Sequence, residues 1–418
     1  MNISDIKLGL VRYKMKSFKI IVPNMDPFEL DEQYIMSITM EKDYDNYYFP
    51  FFQVEVGLPN YLFRAMKKDN LNIKAHVQFQ GGKFSEIIPD ETGVNFNDYI
   101  NGSFLVFLED MSPEPLESTI EKHEKDSGTF KKGYGYGEMT VVKLLLYRED
   151  YLFKSKKVLN AVLSSPTLPD ALTYVLNQAG LSNVLVSPPD SYKVYREFVI
   201  TPISAMEQLE RICNEYGLHA NGTTIFFDFV YMYLLNRTSH SNAYMPNEIS
   251  TIYLGSLMRS GPESIMGKGC FKKAGEYCFL NIDPDSIEIK EKSALNEQVF
   301  GNDFISIDTA SGTVKTVNSG AANSASRPSM ISRTVISNKG AETSGAIKKS
   351  LQEASKIAIL GFSFIDLWML APNKEFILSL EDVKFAKYNG KFRLSKMVAI
   401  FENEGIYWVP HVTAEFKG

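Results

Sequence analysis

Between Leu71 and Phe79 every second residue is apolar: Leu71, Ile73, Ala75, Val77 and Phe79 alternate with Asn72, Lys74, His76 and Gln78. A period of two places all five on one face of a strand, so the run predicts a half-buried strand against a core. Alternation at Tyr34, Met36, Ile38 and Met40 predicts a second strand, and Tyr48 to Val56 an aromatic third. Ser103 to Glu109 and Met139 to Tyr147 read as two more. Pro59-Asn60 opens a short helix, Tyr61 to Lys68, which Asp69-Asn70 ends. Glu114 to Gly137 is charged, then Gly-rich, and reads as a long loop. Residues 1–150 are therefore expected as one β-rich domain with a single helix.

The period then changes. Thr167 or Ser165 caps a predicted helix whose Leu172, Val175, Leu176 and Ala179 share a face, with Gly180 as its stop. A second helix is expected with Thr201 as N-cap, Pro202 at its first position, a stripe of Ala205, Met206, Leu209, Ile212 and Cys213, and Gly217 as stop. Leu218 to Ala220, an Asn221-Gly222 turn and Thr223 to Leu235 then predict a hairpin with aromatic Phe226, Phe227, Phe229, Tyr231 and Tyr233. This makes 151–240 a small α+β domain.

From 241 the β pattern returns, interrupted by a Ser/Gly-rich loop at 306–344 and a helix, Gly345 to Ile357, capped by Ser344. The end reads as a three-stranded meander. Lys374 to Phe385 turns at Tyr388 to Lys391 into Phe392 to Phe401, and Asn403-Glu404-Gly405 leads into Ile406 to Phe416. The expected fold class is α+β, predominantly β: two β domains, 1–150 and 241–418, with the α+β domain between them.

With 418 residues and 44% hydrophobic content, the chain has the means to bury a sizeable core. Its charge is uneven: residues 1–150 hold 17 Lys+Arg against 24 Asp+Glu, 17 − 24 = −7, and the remainder 27 against 26, +1. That disfavours a general phosphate-binding surface. Three cysteines are too few, and odd in number, for a disulfide framework, which favours a reducing compartment. Met1 to Ser17 lacks the apolar core of a signal peptide, and no segment approaches the roughly 18 apolar residues of a membrane span. A protein made in the cytoplasm is expected.

Catalytic and binding motifs fail on spacing. Gly261 to Lys268 has five residues between its glycines where a phosphate loop has four, and Gly269 stands where Ser or Thr would hold magnesium. Gly133 to Gly137 precedes a strand instead of joining a strand to a helix, which is wrong for a dinucleotide fingerprint. Cys213 and His219 do not match a zinc-ligand spacing, and Cys270 with Cys278 lacks two further ligands. The aromatic strand Phe226 to Tyr233 has no interleaved Arg or Lys, so packing explains it better than base stacking. No catalytic, cofactor-binding or metal residue is assigned.

The order of parts resembles that of the central hub proteins of contractile phage tail baseplates and related injection systems. The stretches that carry the resemblance are Tyr48-Phe-Pro-Phe-Phe-Gln-Val-Glu-Val-Gly-Leu-Pro59, Thr201-Pro202 through Asn236, and Tyr388-Asn-Gly-Lys-Phe-Arg-Leu394. It implies two tail-tube-type β-barrel domains, and a homotrimer with six such barrels around an axial channel. It further implies a non-enzymatic structural role in the virion tail baseplate, assembled in the host cytoplasm, joining the tail tube protein to the central spike protein among other baseplate proteins. DNA would pass the channel without specific binding. Two rival readings are a tail-tip cell-wall hydrolase or protease, with Cys213, His219, Glu207, Glu210 and Asp228 available in 155–240, and a carbohydrate-binding module.

Overall fold

The computed structural model describes residues 6–9, 11–68, 72–83, 101–109, 114–115, 139–190, 192–219, 222–229, 231–237, 251–255, 270–273, 277–291, 303–308, 313–318, 333–337, 356–365, 367–405 and 407–418. Within them the chain is predominantly β, as its period-two runs require.

The six longest described strands of the first segment are β1 (Val11–Ile21), β2 (Ile35–Asp43), β3 (Phe51–Pro59), β4 (Lys74–Lys83), β5 (Gly102–Leu108) and β6 (Met139–Arg148), with helix α1 (Asn60–Lys68) between β3 and β4. In β4 the alternating run behaves as expected: Ile73, Ala75, Val77 and Phe79 are buried while His76 faces outward. Of the loop predicted at Glu114 to Gly137, Glu114 and Pro115 instead pair with Val141 and Thr140 of β6; its remainder, Leu71 and both glycine motifs lie outside the described residues.

The middle segment supplies helix α2 (Glu149–Ser155), β7 (Val158–Ser164), helix α3 (Leu168–Ala179), β8 (Glu197–Ser204), helix α4 (Ala205–Glu210), β9 (Thr223–Phe227) and β10 (Met232–Asn236). Helix α3 starts and stops where the sequence places it: Thr167 and Asp170 form a reciprocal capping box, and Gly180 closes the helix at φ +75°. Two expectations are corrected. Thr201 and Pro202 belong to β8, and the N-cap is Ser204, whose box with Glu207 outcompetes the Thr-Pro signal. Thr201 instead accepts hydrogen bonds from the Gln208 amide and the Arg211 guanidinium. The hairpin turns at Asp228 to Tyr231, which breaks the long aromatic run into β9 and β10, rather than at Asn221-Gly222.

The last segment adds β11 (Thr251–Gly255), β12 (Lys356–Ser363), β13 (Glu375–Leu378), β14 (Gly390–Asn403) and β15 (Trp408–Lys417). The terminal meander exists, with Gly405 at φ +86° in the last turn. Its first arm is shorter than predicted, because Asp382 caps a helical turn at Val383–Ala386. Strands Thr313–Asn318 and Arg333–Ser337 lie within the stretch expected as a Ser/Gly-rich loop and flank Asp303–Asp308 in a small sheet. The predicted helix at 345–357 falls mostly outside the described residues.

Backbone pairing joins the two ends of the chain. Following antiparallel neighbours, β1 pairs with β4, β4 with β5, β5 with β6, β6 with β3, β3 with β2, β2 with β14, β14 with β15, and β15 again with β1. Six strands of the first segment and two of the last thus form a closed circuit. Its interior is aromatic and continuous, with Phe401 of β14 within 6.5 Å of the rings of Tyr13, Phe52 and Phe79. The opposite half of β14 pairs with β13, which lies parallel to β11, so this one 14-residue strand belongs to two sheet regions.

Candidate functional site

Three distant stretches of sequence converge where the β9–β10 hairpin meets the strand circuit. Position 42 continues the inward alternation of Ile38 and Met40 in β2, and so carries a lysine into the core. Its ammonium donates to Asp228 Oδ1 at 2.7 Å, and both side chains are fully buried. Asp228 also accepts from the Phe229 backbone N–H, while Phe229 stacks on Phe52 at 5.3 Å and lies 5.0 Å from the Lys42 ammonium. Burial pushes the Lys42 pKa down, opposed by the attraction of Asp228. Burial, reinforced by the Asp228 charge, pushes the Tyr44 phenol well above its usual range. A charge pair in such surroundings is costly to desolvate but far costlier to break, so it fixes one seating of the hairpin.

Asp45 forms a second junction three residues beyond Lys42. Its carboxylate accepts from the Arg393 guanidinium at 3.0 and 3.2 Å, from the Ser395 hydroxyl at 2.8 Å and from the Lys417 ammonium at 2.6 Å. Burial alone would raise its pKa; Arg393 and then Lys417 outweigh that and hold the carboxyl well below the usual carboxylate range. Beside it opens a cleft of about 300 Å³, lined by Asp45, Tyr47 and Tyr48 from the turn after β2 and by Glu210, Asn214 and Arg237 from the middle segment. The Tyr48 phenol is raised by burial and by Glu210, which accepts its hydrogen bond.

The residues that would serve a hydrolase are each already engaged or buried. Cys213 is buried, and burial pushes its thiol up to about 12, leaving it protonated at neutral pH. His219 sits between the Thr223 hydroxyl (2.9 Å from Nδ1) and the Ser187 carbonyl (3.1 Å from Nε2), and burial lowers its pKa. Glu207 closes the cap of α4 and Asp228 holds Lys42. In the strand pair Cys270–Lys273 and Tyr277–Asn281, Cys278 faces Lys272 and Cys270 faces Leu280, so the two cysteines are not register partners. Among the described residues no group of three or more His, Cys, Asp or Glu is placed to hold a metal ion, and no helix is long and apolar enough to cross a membrane.

Sequence reasoning passed over Lys42 and Asp45. Their partners lie 186 and roughly 350 positions away, and a lone lysine in an alternating strand carries no local sign of burial.

Comparison with known proteins gives a family match over nearly the whole chain: the model for the "Bacteriophage PBS1 gene 109 protein" covers residues 8–406. A search of curated proteins finds no match. Among solved structures, the tail protein from Neisseria meningitidis MC58 is 9% identical, with 97% of this chain and 96% of that chain covered at a TM-score of 0.49. The 43 kDa tail protein of prophage MuSo2 from Shewanella oneidensis is 11% identical, with 96% of each chain covered at 0.48. An E. coli component of the type VI secretion system, itself structurally similar to T4 tail proteins gp27 and gp5, is 8% identical, with 94% and 76% covered at 0.39. The family match, like the resemblance to hub proteins of phage tail baseplates drawn from the sequence, is to a bacteriophage protein.

Proposed function

Because the chain belongs to the family of the bacteriophage PBS1 gene 109 protein, we propose that it is a structural hub of a phage tail baseplate or contractile injection apparatus, a trimeric ring connecting the tail tube to the central spike. The observation that carries this reading is the closed strand circuit, in which β14 and β15 complete a ring begun more than 300 residues earlier. We take that circuit as one tube-type barrel, and the sheet around β11, β12 and β13, which shares β14 and β15 with it, as the second unit. Shared strands suit a joint that transmits force, because the two units cannot slide apart without breaking backbone hydrogen bonds along the whole of β14.

Three copies would set six such units around one axis and match a sixfold tube to a threefold spike. A ring of this kind also covers sheet edges that a monomer leaves open. On this reading the protein is not an enzyme: Cys213, His219, Glu207 and Asp228 serve packing, capping and ion pairing. Its partners are the tube protein, the spike protein and neighbouring baseplate proteins in the virion tail, and DNA passes without specific contacts. Electron microscopy of the assembled particle tests it. Three copies with six β units around the axis are expected; one copy lying off the axis would overturn the reading.

A further inference from the structure

The cleft beside Asp45 holds a cation without a counter-ion. Arg237, which directly follows β10, lines the cleft; its Nε is shut away from solvent with no hydrogen-bond partner, and among the described residues no ion pair or side-chain hydrogen bond engages its guanidinium. The Asp45 charge attracts it through space, but the Asp45 oxygens are taken by Arg393, Ser395 and Lys417. Glu210 lines the same cleft, yet it accepts from the Tyr48 phenol and makes no ion pair with Arg237. Holding part of a guanidinium out of water without a partner is costly, and its planar fork fits a carboxylate or a phosphate.

The other lining groups decide between these anions and say what else the ligand carries. Glu210 and Asp45 repel a dianionic phosphate more strongly than a singly charged carboxylate. The two amides are half used. Asn46 spends its Nδ2 on Asp43 Oδ2 at 2.9 Å, which leaves its Oδ1 to accept, and Asn214 accepts from the Thr223 N–H through Oδ1 at 3.3 Å, which leaves its Nδ2 to donate. A hydroxyl, donor and acceptor at once, suits both, and Glu210 keeps lone pairs for another. Tyr47 and Tyr48 stand at the rim, 55% and 37% exposed, each with an apolar ring and a polar tip. The volume of about 300 Å³ lies at the small end of the roughly 300–1,000 Å³ of ligand pockets, so the occupant is one small unit. We infer that the cleft binds an acidic saccharide, with its carboxylate on Arg237, its hydroxyls on Glu210, Asn46 and Asn214, and its ring against Tyr47 and Tyr48. An acidic side chain of another protein would satisfy Arg237 and leave the amides and Glu210 without partners. This site goes beyond the structural role proposed above and does not depend on it.

The test uses the full chain and D-glucuronate as the probe. Affinity is read by saturation transfer from protein to sugar protons, and the site by the Nε–H resonance of isotope-labelled Arg237. Saturable binding that shifts this resonance is expected, with D-glucose weaker by on the order of 10-fold because it lacks the charge-assisted pair. Arg237→Lys keeps the charge but loses the fork, and should weaken glucuronate by a similar factor. Asn214→Asp keeps the acceptor for the Thr223 N–H while turning a second carboxylate on the ligand, and should also weaken it. Tyr47→Ala should do so without changing the melting curve, since that ring is more than half exposed. An Arg237 resonance that glucuronate leaves unmoved, glucose binding as tightly as glucuronate, or unchanged affinity in Tyr47→Ala and Asn214→Asp would each overturn the site. Inorganic phosphate or N-acetylaspartyl methylamide binding as tightly as glucuronate would assign the cleft to a simple anion or to an acidic side chain of a partner, and would overturn the saccharide. None of these outcomes touches the hub reading, which the number and placement of copies in the imaged particle decide.

Discussion

Replacing Lys42 with Met would strand the Asp228 carboxylate in the core. Since the pair is wholly buried, the loss should be about 3–5 kcal/mol, read from urea unfolding. The double variant Lys42→Met, Asp228→Leu removes both charges and should recover most of that; a double-mutant cycle with no coupling would refute the joint. Asp45 supplies the pH dependence. Its folded pKa is depressed below the ordinary 3.8, so the stability it contributes is complete above that value and is lost as the pH falls below it, when the carboxyl protonates and releases Arg393 and Lys417. Asp45→Asn should lower stability at pH 7 and flatten the acid limb of the stability curve below pH 4. An unchanged acid limb would count against the network.

Local elements were legible wherever a local cause sets them. Period-two burial found β4, and Val77→Asp should prevent folding by burying an unpaired carboxylate, whereas His76→Asp on the outer face should be mild. Expression of soluble, cooperatively melting Val77→Asp protein would refute the assignment. Helix α3 was found because cap, stripe and stop are all written between Thr167 and Gly180. The start of α4 was misplaced for an instructive reason: Thr201-Pro202 imitates a helix entry, yet the capping box needs an acid at its third helical position, and only Ser204 has one in Glu207. Ser204→Ala should therefore cost about 1 kcal/mol. The hairpin was misplaced because Asn221-Gly222 is a strong local turn signal, while the true turn at Asp228 to Tyr231 is set by burial of Asp228 and Phe229 against β2 and β3, which no local pattern announces.

At the scale of the molecule, the predominance of β structure was readable but the pairing was not. Nothing in the periodicity of β2 tells that its neighbour is β14, some 355 positions away, because alternation fixes which face is buried and leaves the partner open. Dividing the sequence at 150 and 241 therefore separates strands that the structure pairs. The circuit predicts a behaviour that an autonomous first domain would not show. A fragment ending at residue 150 would leave β2 without β14 and β1 without β15, exposing two strand edges, and would lose Phe401 and Trp408 from the interior they fill. Unpaired edges beside an opened aromatic core favour aggregation. Expressed alone, the fragment should be insoluble or exchange its amide protons freely; addition of a peptide spanning 388–418 should restore slow exchange in β2, the strand that pairs directly with β14. Removing residues 404–418 from the full chain should correspondingly collapse protection in β1 as well as β14, while α3, packed in its own core, keeps most of its own. A fragment 1–150 that folds and resists exchange without the peptide would show that β14 and β15 merely adjoin the ring and do not complete it.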